Sequence, residues 1–483
     1  MRYDVIIIGS GLGGLVCGLG LAQQGKSVLV LERQIQPGGC LQSYKRHGGL
    51  SFDTGLHYVG GLTPGHRIYD IFSHLGLMDL PWYQMDESGF DLITIGDKTY
   101  PLASGYDNFV DTLSQYFPKE KEGLRKYVEM LQDINRQPIT TEALIPVFGK
   151  NAYEYLTETF SDPLLINILA GSSIKLELRK ESLPLFTFAH SNSSYISSSW
   201  RLKGDGNMMI DRLVSQLHAN GGELICKAEV EEMIERDGRI TSVRCTNGET
   251  YEGDIFISDI HPTLTFDLIK ESSCLKPIFR KRMTSIENTI GAFTVSLVLK
   301  PHTLEYFNHN KYIYRKANIW EPSDESQPVD RVMVSCLVPK EGKYATQIDL
   351  LTHMTWERCK KWENTTIGHR GDDYKAMKAQ VARECIELAE TQIPGLSDMI
   401  ATQYTSSPLT WHDYNLSPLG SAYGMRKDHR NLLTILSPRT PISNLLLTGQ
   451  NLTLHGIEGV MMTAVLTCAE ILGPEHTRNI MNL

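Results

Sequence analysis

The sequence predicts an α/β fold with a parallel sheet at its centre and a second, mixed region inserted into it. The first observation is an apolar run over residues 3–8 that ends in a glycine-rich turn, Gly9-Ser10-Gly11-Leu12-Gly13-Gly14. The second is an apolar run over residues 28–31 that ends at Glu32. The third is a strand–turn–helix pattern over residues 444–472, near the other end of the chain. Units of this kind are typical of a parallel sheet flanked by helices.

The first unit has the layout of a Rossmann dinucleotide-binding site. Gly9 permits the tight turn, Gly11 lets the backbone approach a pyrophosphate, and Gly14 brings the helix close to the strand. The phosphates then meet the positive end of the helix dipole. A purely structural glycine turn is the alternative. The position of the turn, between a buried strand and an Ala/Leu/Gly-rich helix, favours dinucleotide binding.

Glu32 narrows the choice of ligand. A carboxylate at the end of the second strand binds a ribose diol and repels a 2'-phosphate, which disfavours NADP. A solvated carboxylate at the end of a strand is the alternative.

Length and composition limit the class of protein. A chain of 483 residues exceeds what one core usually serves, so two or more substructures are expected. The hydrophobic fraction of 41% and the charged fraction of 21% are those of a globular protein. A net charge of -9 argues against nucleic acid as a partner, because a phosphate backbone needs a basic face.

Cysteine usage predicts a reducing compartment. The nine cysteines are scattered, odd in number and never spaced as CxxC, which argues against a disulfide scaffold, a metal site or a dithiol redox centre. The chain shows no secretory signal pattern and no run of about 18 apolar residues. We therefore expect a cytoplasmic protein. Residues 276–282 mix basic and apolar side chains, which fits either a peripheral contact with the inner face of the membrane or a solvated helix face.

The middle of the chain is expected to change in character twice. Residues 68–200 are predicted to be mostly helical, with turns at several prolines. The last part, residues 186–200, combines aromatic residues with seven serines and predicts either an exposed loop or an aromatic pocket wall. Strand and helix patterns return from residue 201 onwards.

A second glycine turn lies near the end of the chain. Thr448-Gly449-Gln450-Asn451 follows a buried strand, and a helix is predicted to begin at residues 456–460. Glycine turns that precede helices at both ends of the chain suggest one extended cofactor held at both ends. FAD suits this better than NAD, because its isoalloxazine ring must be held far from its adenine. A helix start at Gly459 and Val460 would place N–H groups near the flavin N1/O2 edge, where negative charge develops on reduction. An ordinary strand–turn–helix that closes the sheet is the alternative.

These motifs resemble those of a known family. Over nearly its whole length the chain is similar to the FAD-dependent amine oxidase and phytoene desaturase superfamily, which includes carotenoid isomerases, and within it to the retinol saturase branch. The motifs are residues 9–14 with Glu32, the Gly38-Gly39-Cys40 turn, and the segments 52–60, 370–374, 407–410, 420–424 and 447–450.

The resemblance implies a Rossmann-type FAD-binding domain of the glutathione reductase/amine oxidase type with an inserted mixed substrate domain. We expect residues 1–75, 201–285 and 415–483 to form the FAD-binding domain. Residues 76–200 and 286–414 would then form the substrate-binding domain.

The resemblance also implies a set of residues that bind FAD noncovalently. Glu32 and Arg33 would lie at the adenosine ribose, the Val230 backbone at the adenine, and residues 449–460 at the ribitol and the ring. The complete set is Gly9, Gly11, Leu12, Gly13, Gly14, Glu32, Arg33, Gly38, Gly39, Val230, Gly449, Gln450, Gly459 and Val460. Two departures from the family pattern are Gln450, where many relatives have an acidic residue, and Asp205, where a glycine is expected.

The predicted chemistry is hydride transfer between flavin N5 and a carbon of a long, apolar, conjugated or isoprenoid substrate. Saturation of a double bond also needs a proton, so we expect an acid near the flavin. His57 and Tyr58 are the first candidates, although a buried structural histidine is the alternative for His57. His455 and Glu458, which flank the predicted helix start, come second, and Tyr423 third.

Several other functions remain open from the sequence. A desaturase would run the hydride in the opposite direction, a cis-trans isomerase would use reduced flavin without net turnover, and an amine oxidase would need a pocket for a cationic nitrogen. A flavin-bearing lipid-binding protein without catalysis is an alternative of another class. Because the chain has only one strand-linked GxGxxG, electrons would arrive through the substrate cavity or from another protein.

Overall fold

The computed structural model describes residues 2–46, 49–136 and 146–475. The expected segments 76–200 and 415–483 include residues 137–145 and 476–483, which lie outside the described residues. The strands, β1 to β19 in chain order, are Arg2–Ile8, Val28–Glu32, Ser43–Lys45, Ser51–Asp53, Val59–Gly60, Trp82–Gln84, Asp91–Ile95, Lys98–Leu102, Ser199–Leu202, Glu223–Cys226, Val230–Arg236, Arg239–Cys245, Thr250–Ser258, Gly291–Leu299, Asn310–Tyr314, Arg331–Cys336, Gln347–Met354, Ile400–Ser406 and Leu445–Leu447.

The α-helices, α1 to α14 in chain order, cover lengths from one turn to five. They are Leu12–Ala22, Arg67–His74, Tyr106–Tyr116, Lys121–Arg136, Ala152–Thr159, Pro163–Leu169, Leu185–Ser197, Asn207–Ala219, Pro262–Asp267, Pro277–Ser285, Asp372–Glu390, Leu396–Met399, Pro408–Asn415 and Gly456–Leu472.

The first sheet has seven strands and a parallel centre. Its order is β10-β2-β1-β13-β12-β11, and β19 pairs with the carboxyl-terminal part of β13. β1 pairs in parallel with both β2 and β13, so that Ile8 lies between Leu31 and Ser258. The carboxyl ends of β1, β2, β13 and β19 therefore meet at one edge of the sheet, which is where ligands bind in folds of this type.

Helix α1 lies at the centre of the molecule. All of its residues are buried, because its Leu, Val, Cys and Gly side chains leave no polar face. It packs between the first sheet, α8 and α14. Gly18 permits the close approach, since a methyl group there would lie 3.2 Å from a Val30 methyl carbon. Burial on all sides fixes the start of α1 relative to the sheet edge.

The second sheet also has seven strands, in the order β18-β14-β17-β16-β15-β7-β8. All neighbours are antiparallel except β7 and β15. The amphipathic helix α11 packs on this sheet and closes a separate hydrophobic core.

The structure of residues 68–200 differs from the mostly helical expectation at one place. Three strands, β6, β7 and β8, interrupt the helices, and β7 joins the second sheet next to β15. The short run of β7 has no clear period of its own, and its pairing with a strand about 220 positions later decides its conformation. Residues 185–197 form the helix α7, most of which is buried, and Tyr195 lines the cavity described below, so the structure fits the pocket-wall alternative and not the exposed loop.

The two sheets draw their strands from different stretches of the chain. The first sheet draws its strands from residues 2–32, 223–258 and 445–447, and the second from residues 91–102, 291–354 and 400–406. A third, small sheet of β5, β9 and β6 crosses the expected boundary at residue 200. The predicted α/β fold with a Rossmann-type sheet and a second mixed sheet is confirmed.

The basic segment at residues 276–282 lies mostly in the helix α10. Ile278 is 72% exposed. The Arg280 guanidinium, in contrast, turns inward and donates to the carbonyls of Phe266 and Ile269. Among the helices of residues 2–46, 49–136 and 146–475, none combines the length and the apolar character needed to cross a bilayer.

Candidate functional site

A cavity of about 540 Å³ runs along the carboxyl edge of the first sheet and reaches the second sheet. This volume is within the usual range for ligand sites. Both extremities of the chain line it, through the Gly9–Gly13 turn and through residues 449–460. We name its two ends by their residues. The adenosine end is lined by Glu32, Arg33 and Val230, and the inner end by Tyr58, Lys175, Tyr195, Tyr423 and His455.

The glycine-rich turn joins β1 to α1 as predicted. Gly9 has a φ of +95°, which favours glycine, and its N–H donates to the Leu31 carbonyl at 2.9 Å. A methyl group at Gly14 would lie 2.2 Å from the Gly9 carbonyl oxygen. Gly14 therefore holds helix and strand together and does not itself line the cavity.

The two glycine turns touch each other. A methyl group at Gly13 would lie 3.0 Å from the Gly449 Cα. Gly39 is equally close to the first turn, since a methyl group there would lie 3.3 Å from the Gly11 Cα. The backbones of these turns therefore approach each other closely. A side chain at any of these glycines would fill the space between the turns. Such an opening, bounded by N–H groups and a helix start, fits a dinucleotide pyrophosphate.

Asp259 is a residue of this turn that the sequence analysis missed. It follows β13 and lines the cavity, and its carboxylate accepts from the N–H groups of Gly11 and Gly14. A methyl group at Gly11 or Gly13 would lie 2.5 or 2.4 Å from its oxygens. Burial raises the pKa of Asp259 to about 7. The sequence feature that could have indicated this role is the position of Asp259 directly after a buried strand, β13, which pairs with β1.

Glu32 ends β2 and is held in place by the turn. Its Oε2 accepts from the Ser10 N–H at 3.1 Å and from the Ser10 hydroxyl at 2.5 Å, and its Oε1 accepts from the Gln34 N–H at 2.7 Å. It also lines the cavity, at the position expected for a ribose. The neighbouring Arg33 donates to the Tyr414 carbonyl at 2.7 Å, so the last turn of α13 closes this end.

The structure brings twelve of the fourteen predicted cofactor residues to the cavity wall. Gly14 and Gly459 are the two that do not line it. Gly459 instead packs on the preceding chain, because a methyl group there would lie 2.6 Å from the Leu454 carbonyl oxygen. The helix start that it permits, at residues 456–460, does line the cavity. The carboxylate of Asp205, the second departure, accepts from the N–H of Asn207, the first residue of α8, at 3.0 Å.

Three of the predicted acids are unsuited to that role in this structure. Burial lowers the pKa of His57 and of His455 to about 4, so both imidazoles are neutral at physiological pH. Burial alone would raise the pKa of Glu458, but the nearby His190, whose Nδ1 lies 3.9 Å from Glu458 Oε1, and the charges of His66 and Arg67 outweigh it and lower the pKa to about 2. Glu458 is therefore ionised and has no proton to donate.

Tyr58 and Tyr423 are buried at the inner end with their hydroxyl groups engaged. The Tyr58 hydroxyl donates to Asp91 Oδ2 at 2.9 Å and lies 3.0 Å from the Tyr312 hydroxyl. Burial raises the pKa of Tyr58 well above its usual range, and the nearby Asp91 adds to the effect. The Tyr423 hydroxyl donates to the Ile174 carbonyl.

A buried lysine at the inner end was also missed by the sequence analysis. Lys175 Nζ donates to the Tyr58 hydroxyl at 3.2 Å and lies 3.8 Å from the centroid of the Tyr195 ring. We call Lys175, Tyr58, Asp91, Tyr195 and Tyr312 the lysine cluster. Its members come from five separate segments of the chain, so no local sequence pattern predicts the cluster. The sequence feature that could have indicated Lys175 is its position after a run of small and apolar residues.

Comparisons with known proteins agree with this geometry. Residues 7–75 match the family model of the NAD(P)-binding Rossmann-like domain. The chain is 24% identical over 524 residues to all-trans-retinol 13,14-reductase of Rattus norvegicus, covering 98% of this chain and 86% of that protein. It is 25% identical over 497 residues to prolycopene isomerase 1 of an Oncidium hybrid cultivar, covering 93% and 80% respectively.

Solved structures show the same fold. Cyclohexylamine oxidase from Brevibacterium oxydans superposes with a TM-score of 0.63 at 13% identity, covering 98% of this chain and 100% of that one. The predicted fold, cofactor and resemblance are therefore confirmed. The chain is an FAD-dependent oxidoreductase, and over nearly its whole length it is similar to proteins named retinol 13,14-reductase and prolycopene isomerase.

Proposed function

We propose that this protein saturates a carbon–carbon double bond of a long apolar polyene or isoprenoid substrate. The observation that carries the proposal is the continuity of the cavity, which joins the glycine turns to a wall formed by the second sheet. Three apolar side chains of that sheet, Ala292, Met333 and Leu351, line the same cavity as the start of α14. Tyr195 of α7 and, from connecting segments, Tyr423 and Leu454 extend this apolar and aromatic wall.

Each end of the cavity has a separate task in this proposal. The N–H groups of the glycine turn and the Glu32 carboxylate bind the adenosine and phosphate parts of FAD. The start of α14 presents its positive dipole end to the ring. When bound, FAD supplies two-electron hydride chemistry. The apolar wall orients the substrate and excludes water.

Similarity to relatives named as retinol 13,14-reductases supports saturation as the direction of the reaction. A proton-bearing group at the inner end supports it further, since saturation consumes a proton and isomerisation consumes none. The Lys175 ammonium also opposes the amine oxidase alternative, because it would repel a cationic substrate nitrogen from this end.

Redox-neutral cis-trans isomerisation is the second candidate. The observation that favours it is the similarity to proteins named prolycopene isomerase. An isomerase would use the same cavity and the same cofactor, so the two candidates differ only in the fate of the substrate.

Anaerobic turnover of a polyene panel tests the proposal. The purified holoprotein is reduced with dithionite, mixed with retinoids and carotenoids, and the products are analysed by mass spectrometry. We expect a gain of two hydrogens on at least one polyene. A changed retention time without a mass change would establish the isomerase instead, and a loss of two hydrogens with the oxidised protein would establish a desaturase.

A protein that binds flavin but changes no polyene in either redox state would be a flavin-bearing lipid-binding protein. The cytoplasmic location stays a prediction from the cysteine usage, and cell fractionation with a vesicle-binding assay tests it together with the peripheral membrane contact.

A further inference from the structure

Lys175 is fixed next to the start of the terminal helix. It ends a short 3-10 turn, Ser173–Lys175, whose carbonyl groups are held by three side chains. His455 Nε2 donates to the Lys175 carbonyl at 3.2 Å, and His353 Nε2 to the Ile174 carbonyl at 3.0 Å. The Tyr423 hydroxyl also donates to the Ile174 carbonyl. Since His455 directly precedes α14, the turn lies beside the helix end that is expected to face the flavin ring.

The ammonium group of Lys175 reaches into the cavity and is connected to a buried carboxyl group. Its Nζ donates to the Tyr58 hydroxyl at 3.2 Å and to the Ser172 hydroxyl at 3.5 Å. The Tyr58 hydroxyl in turn donates to Asp91 Oδ2 at 2.9 Å. Asp91 is fully buried, and its other oxygen accepts from Asn310 Nδ2 at 2.8 Å. A continuous path of hydrogen bonds therefore joins Lys175 to a second ionisable group.

The proton affinity of Lys175 suits general acid catalysis. Burial lowers its pKa to about 8, although the Asp91 charge opposes this effect. The group is protonated at neutral pH and releases its proton readily, which is the condition for efficient acid catalysis. His57 and His455 are neutral and Glu458 is ionised, so none of these competes for the role.

We propose that Lys175 is the proton donor that completes saturation of the substrate double bond. This inference rests on the proposed saturase function. One carbon of the double bond receives a hydride from the reduced cofactor, and the other forms its C–H bond with a proton from the Lys175 ammonium. The Lys175 N–H bond breaks, its electron pair stays on nitrogen, and a neutral amine remains. A solvent proton restores the ammonium before the next turnover, and the two electrons come from a two-electron reductant such as dithionite.

Several ionisable groups face Lys175 and its turn, and they shape the pH dependence. Tyr58, Tyr195 and Tyr312 stay protonated, because burial raises the pKa of each. Burial also raises the pKa of Asp91, although Lys175 and Arg201 oppose the effect. The groups that face the turn from its other sides are His353, Tyr423 and His455. Lys175 is thus the group of this cluster expected to lose its proton between pH 7 and 9, and activity is expected to fall as the pH rises through about 8.

Two substitutions at Lys175 separate proton donation from charge and packing. Lys175→Met removes the proton and the charge, whereas Lys175→Arg keeps the charge on a group that does not release its proton. Both variants are expected to slow formation of the product that has gained two hydrogens by about 100-fold or more, the usual contribution of a positioned acid. Flavin content and melting temperature are measured in parallel. Lys343→Met, at an exposed lysine in the loop between β16 and β17, is the matched control.

The outcomes distinguish this inference from the proposed function. If the wild-type protein adds no hydrogen to any polyene, the saturase function fails. If it does so and either Lys175 variant retains the wild-type rate, the saturase stands and Lys175 is not the donor. An Arg variant as active as the wild type would show that charge alone matters, and a wild-type rate that stays constant from pH 7 to pH 10 would likewise overturn the proposal.

Discussion

The two ends of the cavity are built in different ways. At the adenosine end, the turn, the helix and Glu32 all come from the first 32 residues, and each adopts a conformation that its own sequence favours. At the inner end, the lysine cluster brings together side chains from residues 58 to 312, on two strands of the second sheet, on α7, on the 3-10 turn and on the loop before β5. The comparison teaches that the first glycine turn and Glu32 are encoded locally, whereas Val230, Asp259 and Gly449, like the lysine cluster, reach the cavity through the packing of distant elements.

The largest effect is expected when a side chain is placed in the glycine turn, which tests the local encoding of that turn. In Gly13→Ala the new methyl group would lie 2.4 Å from Asp259 Oδ1 and 3.0 Å from the Gly449 Cα. Overpacking of a tight site costs about 1–3 kcal/mol, so FAD affinity should fall by about 5- to 150-fold. Flavin fluorescence titration measures it. Gly96→Asn, at an exposed hairpin glycine with nothing within 4 Å, is the control. Unchanged FAD affinity in Gly13→Ala would refute the local encoding of this end.

Asp259 offers a second test at the same end. Its pKa of about 7 means that the carboxyl group is neutral below pH 7 and ionised above it. The ionised form repels the cofactor phosphates and competes for the N–H groups of the turn. FAD affinity should therefore fall by about tenfold between pH 6 and pH 8, by proton linkage. Asp259→Asn should bind FAD at pH 8 as tightly as the wild type does at pH 6. Parallel pH curves for the two proteins would count against this role.

Asp91 tests the inner end. Its charge raises the pKa of Lys175, so Asp91→Asn should lower that pKa. The high-pH limb of saturase activity should then move to lower pH by about one unit or less, the size of many single charge effects. The pH–rate profile measures the shift. Tyr312→Phe, which removes a neutral hydroxyl of the same cluster, should leave the limb in place.

The smallest effect is expected at His57. The imidazole is neutral and no step is assigned to it, so His57→Gln should keep its flavin and slow saturation by less than about threefold. Steady-state kinetics with the same polyene measure this. A loss of about 100-fold with intact flavin would restore His57 as the proton donor and remove Lys175 from that role.

Sequence alone determined the glycine turn, Glu32, the second turn at Gly449 and the terminal helix, and with them the fold and the cofactor. These features are predictable because a buried strand, a glycine that needs a positive φ and a helix start lie within a few residues of each other. The strands within residues 82–102 were not predicted. The pairing partner of β7 in particular is β15, which lies far along the chain.

Only the tertiary structure decided the site's electrostatics. Whether His57 is neutral, Glu458 ionised or Lys175 a ready proton donor depends on burial and on neighbours contributed by other elements. The same packing sets the carboxylate of Asp259 against the glycine turn. The pKa of a side chain depends on its surroundings in three dimensions. The sequence gives the identity of the residue but not the neighbours that the fold brings next to it.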